Sequence, residues 1–193
     1  MGKNKIRKIL FLDIDGVLNS EKWVNYCHEN HIEYNKDVYG QDRELDPSAV
    51  ALIDKINEGV NGELELIISS SWRSTMKDTV ARLRTQGLKC PIAGPLTHPP
   101  GKSEFEDFIC RGSVIHQWLL KQRLFEGYEW CWNDEDNDYQ PFTYCIIDDD
   151  EDMLYSQRFY FVNTSYRYGL TEAGAQRAIA ILNAKDSLLE NNS

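Results

Sequence analysis

Two aspartates one residue apart follow an apolar run near the start of the chain, and this feature constrains the fold most. Residues 9–12 are all apolar, and residues 13–16 read Asp-Ile-Asp-Gly. In an extended chain, residues i and i+2 point to the same side, so Asp13 and Asp15 should converge just past the end of a strand. Two like charges held this close repel unless a cation or a shared proton intervenes. The pair predicts a bound metal, an acid–base partnership or both, and Gly16 lets the backbone turn away.

A second junction between a strand and acidic residues lies far along the chain. Residues 142–147 read Phe-Thr-Tyr-Cys-Ile-Ile, which favours a strand, and Asp148 and Asp149 come next. Either acidic segment alone is also typical of a solvated turn. In open α/β sheets, however, ligands bind at the carboxyl ends of the strands. If the two strands are parallel neighbours, their acids meet at one edge and form a hard-oxygen site suited to Mg²⁺.

A third junction joins an apolar strand to hydroxyl groups and an arginine. Residues 64–68 form the strand, and residues 69–73 read Ser-Ser-Ser-Trp-Arg. Hydroxyls donate to phosphate oxygens, and the guanidinium of Arg73 can bind them through two hydrogen bonds. A serine could instead cap the following helix, for which Ser74 is a candidate. The topology shared with the acidic junctions favours phosphate binding.

The order of these motifs resembles the haloacid dehalogenase superfamily of phosphotransferases. Residues 13–19 look like its first motif, 69–71 like its second and 148–149 like its fourth, and the resemblance spans about residues 8–183. Shorter segments narrow the resemblance to small domains related to polynucleotide 3′-phosphatases and RNA-repair proteins. These are Ser-Ser-Trp-Arg at 70–73, Arg-Gly-x-x-Ile-x-x-Trp-Leu from Arg111, and Gly-Leu-Thr at 169–171.

The resemblance implies a role for each acidic residue. Asp13 would be the nucleophile that forms an aspartyl-phosphate. Asp15 would protonate the leaving oxygen and then activate the hydrolytic water. Asp13, Asp148 and the backbone carbonyl of Asp15 would hold Mg²⁺, with Asp149 as a further ligand or as an outer hydrogen-bond acceptor. The implied activity is hydrolysis of a phosphomonoester, with a nucleotide or a nucleic-acid 3′-phosphate end as the expected substrate.

Two positions of this pattern stay open. Any of Ser69, Ser70 and Ser71 could fill the second motif, because the spacing to Arg73 favours Ser71 whereas the Ser-Trp pair favours Ser70. The third motif usually carries lysine, and Arg111 stands at the matching position. Arginine also neutralises phosphate, but its forked guanidinium group and its reach differ from those of the lysine side chain. The alternatives for this position are Lys102 and Lys121.

The rest of the chain predicts one α/β domain, with a Rossmann-like parallel sheet wrapped by helices on both faces. Asp46-Pro47 should begin a helix that stops near Gly59, and Thr171 should cap a final helix. Residues 158–162 are aromatic and β-branched, which favours a strand. Two further helices are marked by apolar residues at helical spacing, namely Met76, Val80 and Leu83, and then Val114, Ile115, Trp118 and Leu119.

Two segments are expected to lie outside this core. Residues 20–45 are too few for an independent domain, so we expect a small cap-like insertion and an open cleft. The aromatic residues of this segment either stack on a nucleobase or pack a small lid onto the body. Residues 126–141 include an acidic run and are expected to form a solvated loop.

Composition narrows the class of protein and its location. The formal charge of −10 argues against extended nonspecific binding of nucleic acid, so a nucleotide or a terminal phosphate is the more defensible ligand. No stretch approaches the roughly 20 apolar residues of a membrane helix, and the N-terminus lacks the apolar part of a secretion signal. Five cysteines without a Cys-x-x-Cys pair fit reduced thiols in the cytoplasm. His28 and His31 could bind zinc from one helix face, although no further ligands stand nearby.

Other functions remain as alternatives. The substrate could be another small phosphorylated metabolite or a phosphoprotein. A signalling module in which phospho-aspartate acts as a switch would combine similar residues, but its first acids are normally adjacent. A binding protein without activity would not need both Asp13 and Asp15.

Overall fold

Five parallel strands form the sheet that organises the described part of the chain. The computed structural model describes residues 6–32, 45–97, 109–122, 124 and 142–186. Across the sheet the strand order is β3-β2-β1-β4-β5, and every neighbouring pair is parallel. The strands are β1 (Arg7–Leu12), β2 (Leu64–Ile68), β3 (Ile92–Pro95), β4 (Phe142–Asp148) and β5 (Phe161–Asn163).

Helices connect and cover these strands. Among the described residues, a short 3-10 helix at Ser71–Thr75 follows β2, and another at Tyr155–Phe159 precedes β5. The α-helices in the described ranges are α1 (Glu21–Glu29), α2 (Pro47–Gly59), α3 (Met76–Thr85), α4 (Arg111–Lys121) and α5 (Glu172–Asn183). Within these ranges, no helix is both long and apolar enough to cross a bilayer.

Successive side chains of the central strands point to opposite faces of the sheet, so the core has two layers. Leu10 and Leu12 of β1 face the layer that contains the apolar residues of α2, α3 and α5. Ile9 and Phe11 face the opposite layer, which contains Ile115, Trp118 and Leu119 of α4. Because both faces of a parallel sheet are covered by helices, its strands read as nearly continuous apolar runs. The predicted Rossmann-like fold class is confirmed.

The predicted helix starts at positions 46 and 171 are confirmed by their caps. Asp46 accepts a 2.8 Å hydrogen bond from the backbone N–H of Ser48, and Pro47 is the first residue of α2. Thr171 accepts a 3.2 Å hydrogen bond from the N–H of Gly174 in α5. Each cap satisfies a backbone donor that the first helical turn leaves free, and such a cap stabilises a helix by about 1 kcal/mol.

The strand predicted over 158–162 is wrong for its first half. Arg158 and Phe159 belong to a 3-10 helix, and β5 begins only at Phe161. The buried side chain of Gln157 explains this conformation, because it accepts from the backbone of Leu154 and donates to the carbonyl of Gly112, both at 2.9 Å. These contacts hold the segment in a turn that a local β propensity does not anticipate.

The helix cap proposed for Ser74 is also not observed. Ser70 instead caps the 3-10 helix, because its side chain accepts a 3.3 Å hydrogen bond from the N–H of Trp72. Thr75 precedes α3 and makes no side-chain cap hydrogen bond. Ser74 donates to the carbonyl of Ser71 within the 3-10 helix.

The strand order sets the place of the site. The chain moves outward from β1 to β2 and β3, and then returns to place β4 on the other side of β1. The crevice beyond the carboxyl ends of β1 and β4 is therefore the switch point at which α/β sheets bind ligands. The three predicted motifs follow β1, β2 and β4 at this edge. Lys102, the acidic segment 126–141 and residues 33–44 of the predicted insertion lie outside the described residues.

Candidate active site

Three carboxylates meet beyond the ends of β1 and β4. The N–H of Asp13 donates to the carbonyl of Ile147 across 3.0 Å, which continues the pairing of the two strands into the site. Asp13, Asp148 and Asp149 each offer a carboxylate oxygen, and these oxygens lie within 4.8 Å of one another. Asp13 is 3% exposed and Asp148 is fully buried. The sheet therefore collects negative charge where water is largely excluded.

Burial and mutual repulsion raise the pKa values of these acids. Burial, followed by the charge of Asp13, raises the pKa of Asp148 to about 8. The same two causes raise the pKa of Asp149 to about 6. Burial also raises the pKa of Asp13, although Arg111 and a hydrogen bond from Ser70 act in the opposite direction. Such a cluster favours a bound cation, because a cation stabilises the ionised carboxylates.

Arg111 reaches into this cluster from the first turn of α4. Its Nη1 atom donates to Asp13 Oδ1 across 2.5 Å, lies 3.0 Å from Asp148 Oδ2, and donates to the carbonyl of Ser69 across 3.1 Å. Burial disfavours the guanidinium charge, but Asp13 and then Asp148 outweigh it and raise the pKa of Arg111. Lys121 is exposed at the far end of the same helix, about 15 Å away at 1.5 Å per residue.

The segment that follows β4 positions Arg111. Asp152 Oδ2 accepts a 2.7 Å hydrogen bond from the backbone N–H of Arg111, which satisfies a donor at the start of α4. Gly112 permits the close approach, because a Cβ there would lie 2.5 Å from the backbone nitrogen of Leu154. The chain after Asp148 and Asp149 thus holds the arginine that faces them.

The serine and arginine residues of the second motif lie beside Asp13. Ser70 is fully buried and acts to lower the pKa of Asp13, whereas Ser71 is exposed at the start of the 3-10 helix. The hydroxyl of Ser69 is buried and has no hydrogen-bond partner among the described residues. Arg73 donates to the carbonyls of Ser69 and Ser70 at 3.0 and 2.9 Å.

The two guanidinium groups lie close enough to interact. Burial, followed by the charge of Arg111, lowers the pKa of Arg73, and Asp13 partly offsets this effect. Two like charges at one edge of the site are stabilised by an anion between them. Phosphate has this charge and the oxygen acceptors to match.

Asp15 is held apart from the carboxylate cluster. The indole Nε1 of Trp72 donates to both carboxylate oxygens of Asp15, at 3.1 and 3.0 Å. The side-chain nitrogen of Asn19 donates to Asp15 Oδ1 across 2.8 Å. The side-chain oxygen of Asn19 accepts a hydrogen bond from the backbone N–H of Gly16. The side chain is partly exposed and does not join the three metal-ligand candidates. Trp72 and Asn19 therefore fix the orientation of the Asp15 carboxylate.

A comparison with protein families matches the chain to one family model. The model describes a HAD domain in Swiss Army Knife RNA repair proteins, where HAD denotes haloacid dehalogenase, and it covers residues 9–175. The chain belongs to this family. No curated protein and no solved structure matches it. The resemblance read from the motifs is confirmed, and membership of the HAD family supports a phosphatase-type function.

The acidic cluster of this HAD domain fits a hard divalent cation. Its ligand candidates are all carboxylate oxygens, which Mg²⁺ prefers. Asp148 Oδ2 is buried and accepts no hydrogen bond from the described residues, but it forms a 3.0 Å ion pair with Arg111. Burying several carboxylate charges together is costly, and a metal ion bound by them would lower that cost.

Sequence reasoning missed two residues of the site. Trp72 was noted only as part of the Ser-Ser-Trp-Arg segment, and its contact with Asp15 spans 57 positions. Asp152, which binds the backbone of Arg111, was not among the predicted site residues. For the histidines, His28 lies in α1 whereas His31 follows its end with a φ of 54°, so the two do not share a helix face.

Proposed function

We propose that this HAD domain is a Mg²⁺-dependent phosphomonoester hydrolase that works through an aspartyl-phosphate on Asp13. The observation that carries the proposal is the position of Asp13, which is buried, pairs with the guanidinium of Arg111 and lies beside the carboxylates of Asp148 and Asp149. A carboxylate attacks a phosphate only where positive charge reduces their repulsion. The site holds both the attacking group and the groups that would supply this charge.

In the first half of the reaction, a carboxylate oxygen of Asp13 attacks phosphorus and the bond to the ester oxygen breaks. Asp15 gives its proton to that leaving oxygen. In the second half, Asp15 takes a proton from a water molecule, whose oxygen attacks phosphorus and displaces Asp13. Inorganic phosphate leaves, and both aspartates return to their starting forms. Trp72 and Asn19 keep the Asp15 carboxylate oriented through both steps.

The metal ion would bind mainly the acids, and the two arginines would bind mainly the phosphate. Asp13, Asp148, Asp149 and the backbone carbonyl of Asp15 would hold Mg²⁺, which when bound would neutralise the phosphoryl oxygens and the nucleophile. When phosphate binds, Arg111 would donate some of its hydrogen bonds to the phosphate instead of to Asp13. Arg73 and Ser70 would bind the remaining phosphate oxygens, and donors fixed in this way stabilise the charge of the transition state.

The substrate we propose is the 3′-phosphate end of a nucleic acid, or a nucleotide as its smallest form. Its support is the family itself, whose members are described as domains of RNA repair proteins. The residues proposed to bind phosphate would bind the phosphoryl group of any phosphomonoester.

The test is release of inorganic phosphate from a matched panel of substrates. We expect release from 3′-phosphorylated oligonucleotides, weaker release from 5′-phosphorylated ones, and none in EDTA. Asp13→Asn should abolish turnover, while Asp46→Asn should not, because asparagine caps a helix as well as aspartate does. Preference for a sugar phosphate or a phosphopeptide would overturn the substrate. Turnover in EDTA, or full activity of Asp13→Asn, would overturn the mechanism.

A further inference from the structure

Two clusters of exposed aromatic rings and arginines flank the strand at one edge of the sheet. β5 is the outermost strand on its side, next to β4. We call the two clusters together the edge-strand surface. They are Tyr155, Arg158 and Phe159 before β5, and Tyr166, Arg167 and Tyr168 after it.

The rings of this surface are exposed to an unusual degree for aromatic side chains. The exposed fractions are 80% for Tyr155, 67% for Phe159, 61% for Tyr166 and 56% for Tyr168. Removing large apolar side chains from water is favourable, so a cluster of them left exposed indicates a binding surface. Their grouping around one short strand distinguishes them from scattered surface residues.

In each cluster a guanidinium lies over at least one of the rings. The Arg158 guanidinium lies 3.9 Å from the ring centre of Tyr155 and 4.1 Å from that of Phe159. The Arg167 guanidinium lies 5.4 Å from the ring centre of Tyr168. Arginine planes and aromatic rings both stack on nucleobases, and arginine also pairs with phosphate. This combination is typical of surfaces that bind single-stranded nucleic acid.

Hydrogen bonds fix the second cluster to the loop that carries Asp13 and Asp15. Thr164 donates to the carbonyl of Gly16 across 3.2 Å, and the N–H of Leu170 donates to the carbonyl of Val17 across 2.8 Å. The carbonyl of Tyr166 accepts from the first residue of α1, which follows the same loop. Tyr166 and Tyr168 therefore lie at the rim of the catalytic edge, and not on a remote face.

A cavity of about 620 Å³ continues the surface beyond β5. It lies between the 3-10 helix, β5 and the start of α5, and its lining includes Arg158, Arg177 and Glu151. Two arginines against one glutamate make this lining more basic than the chain as a whole, whose formal charge is −10. The local charge thus complements a phosphodiester backbone even though the overall charge does not.

We propose that the edge-strand surface binds the single strand of nucleic acid that ends in the phosphate at Asp13. This inference rests on the proposed function and specifies its preferred substrate as a strand over a free nucleotide. The two clusters stand at the ends of a strand of three residues, about 10 Å long at 3.3 Å per residue, so together they contact only a few nucleotides. Because the chain as a whole is acidic, we expect most of the affinity to come from stacking of bases on the rings.

The first experiment measures binding without turnover. A fluorescent, 3′-phosphorylated, single-stranded oligonucleotide is titrated with Asp13→Asn protein, and its anisotropy is followed. Adding Tyr166→Ala and Tyr168→Ala should weaken binding about tenfold or more, because stacking on one ring changes affinity by about that factor. Replacing the same tyrosines by phenylalanine should preserve binding, because the rings remain. Leu120→Ala, which truncates an exposed apolar side chain at the far end of α4, should have no effect.

The second experiment compares substrates of different length in the otherwise native enzyme. The alanine variant should lose about tenfold or more in kcat/KM on the oligonucleotide while its turnover of a 3′-mononucleotide is unchanged. Equal binding and equal kcat/KM in the alanine variant would overturn the edge-strand surface and leave the hydrolase proposal intact. Binding that depends on the tyrosines, without any phosphate release, would support the proposed surface and overturn the hydrolase proposal. Self-association that the alanines abolish, with unchanged oligonucleotide affinity, would also overturn the proposal.

Discussion

The guanidinium of Arg111 donates a 2.5 Å hydrogen bond to the carboxylate of Asp13, although 98 positions separate the two residues. The same nitrogen lies 3.0 Å from Asp148, and both carboxylates are buried. Removing one partner of a buried ion pair leaves an uncompensated charge, which costs about 3–5 kcal/mol where the charge cannot be neutralised. Arg111 thus connects the stability of the site to its proposed chemistry.

Replacing Arg111 by glutamine should lower kcat about 100-fold or more, because a fixed donor to the phosphate is lost. Arg111→Lys should retain part of the activity, since lysine keeps the charge but not the fork. Steady-state kinetics on a 3′-phosphorylated oligonucleotide measures both effects. Arg7→Gln is the control, because Arg7 pairs with Glu65 at the opposite end of β1. Near-native kcat in Arg111→Gln would remove Arg111 from the phosphate site.

Replacing Trp72 by phenylalanine should lower kcat about tenfold or more, because a small misplacement of a catalytic group is costly. The substitution keeps an aromatic ring in the core and removes the N–H that binds both oxygens of Asp15. KM should change little, because Asp15 is not proposed to bind the phosphate. Trp118→Phe makes the same change in the other core layer and should lower the melting temperature without lowering kcat. Equal kcat values in the two variants would contradict the role of Trp72.

Alanine at Gly16 should disrupt the site, whereas alanine at Gly87 should not. Both glycines have positive φ, 66° and 99°, so both substitutions strain the backbone by about 1–2 kcal/mol. A Cβ at Gly16 would lie 2.0 Å from Asp149 Oδ2, while one at Gly87 would meet no atom of the described residues within 4 Å. Urea unfolding should show a lower free energy of unfolding in both variants. Only Gly16→Ala should also lose Mg²⁺ affinity, and unchanged affinity would show that Asp149 is not a ligand.

In EDTA, the free energy of unfolding should fall as the pH rises from about 4 to about 8. The pKa of Asp148 is raised to about 8 and that of Asp149 to about 6. In an unfolded chain the aspartate pKa is about 3.9, so the folded protein binds more protons across this range and loses stability as they leave. Urea unfolding at several pH values measures the slope, and Asp148→Asn should flatten it.

Added Mg²⁺ should act in the opposite direction. Its carboxylate ligands must be deprotonated, so the ion should stabilise the fold more at pH 8 than at pH 5. Asp46→Asn should keep both the pH slope in EDTA and the response to Mg²⁺, because the Asp46 side chain caps α2 and is not part of the cluster. A Mg²⁺ effect that does not depend on pH would contradict the proposed ligand set.

Local patterns predicted much of the fold. Apolar runs marked β1, β2 and β4, and the Asp46-Pro47 and Thr171 signals marked the starts of α2 and α5. The short strand β3, with glycine and proline among its four residues, was not predicted. The start of β5 was misplaced because the turn before it depends on Gln157 and Gly112, which are 45 positions apart.

The sequence by itself determined the fold class and the three junctions at which strands lead into acids and hydroxyls, because strand periodicity and turn chemistry act over a few residues. Only the tertiary structure decided which groups meet. It placed Arg111 on Asp13, the indole of Trp72 on Asp15, and Ser70 and not Ser71 in the buried position beside the acids. These contacts depend on the order in which β1, β2 and β4 stand in the sheet and on how α4 packs against the chain after β4. No local pattern encodes that order, because it results from packing the whole core.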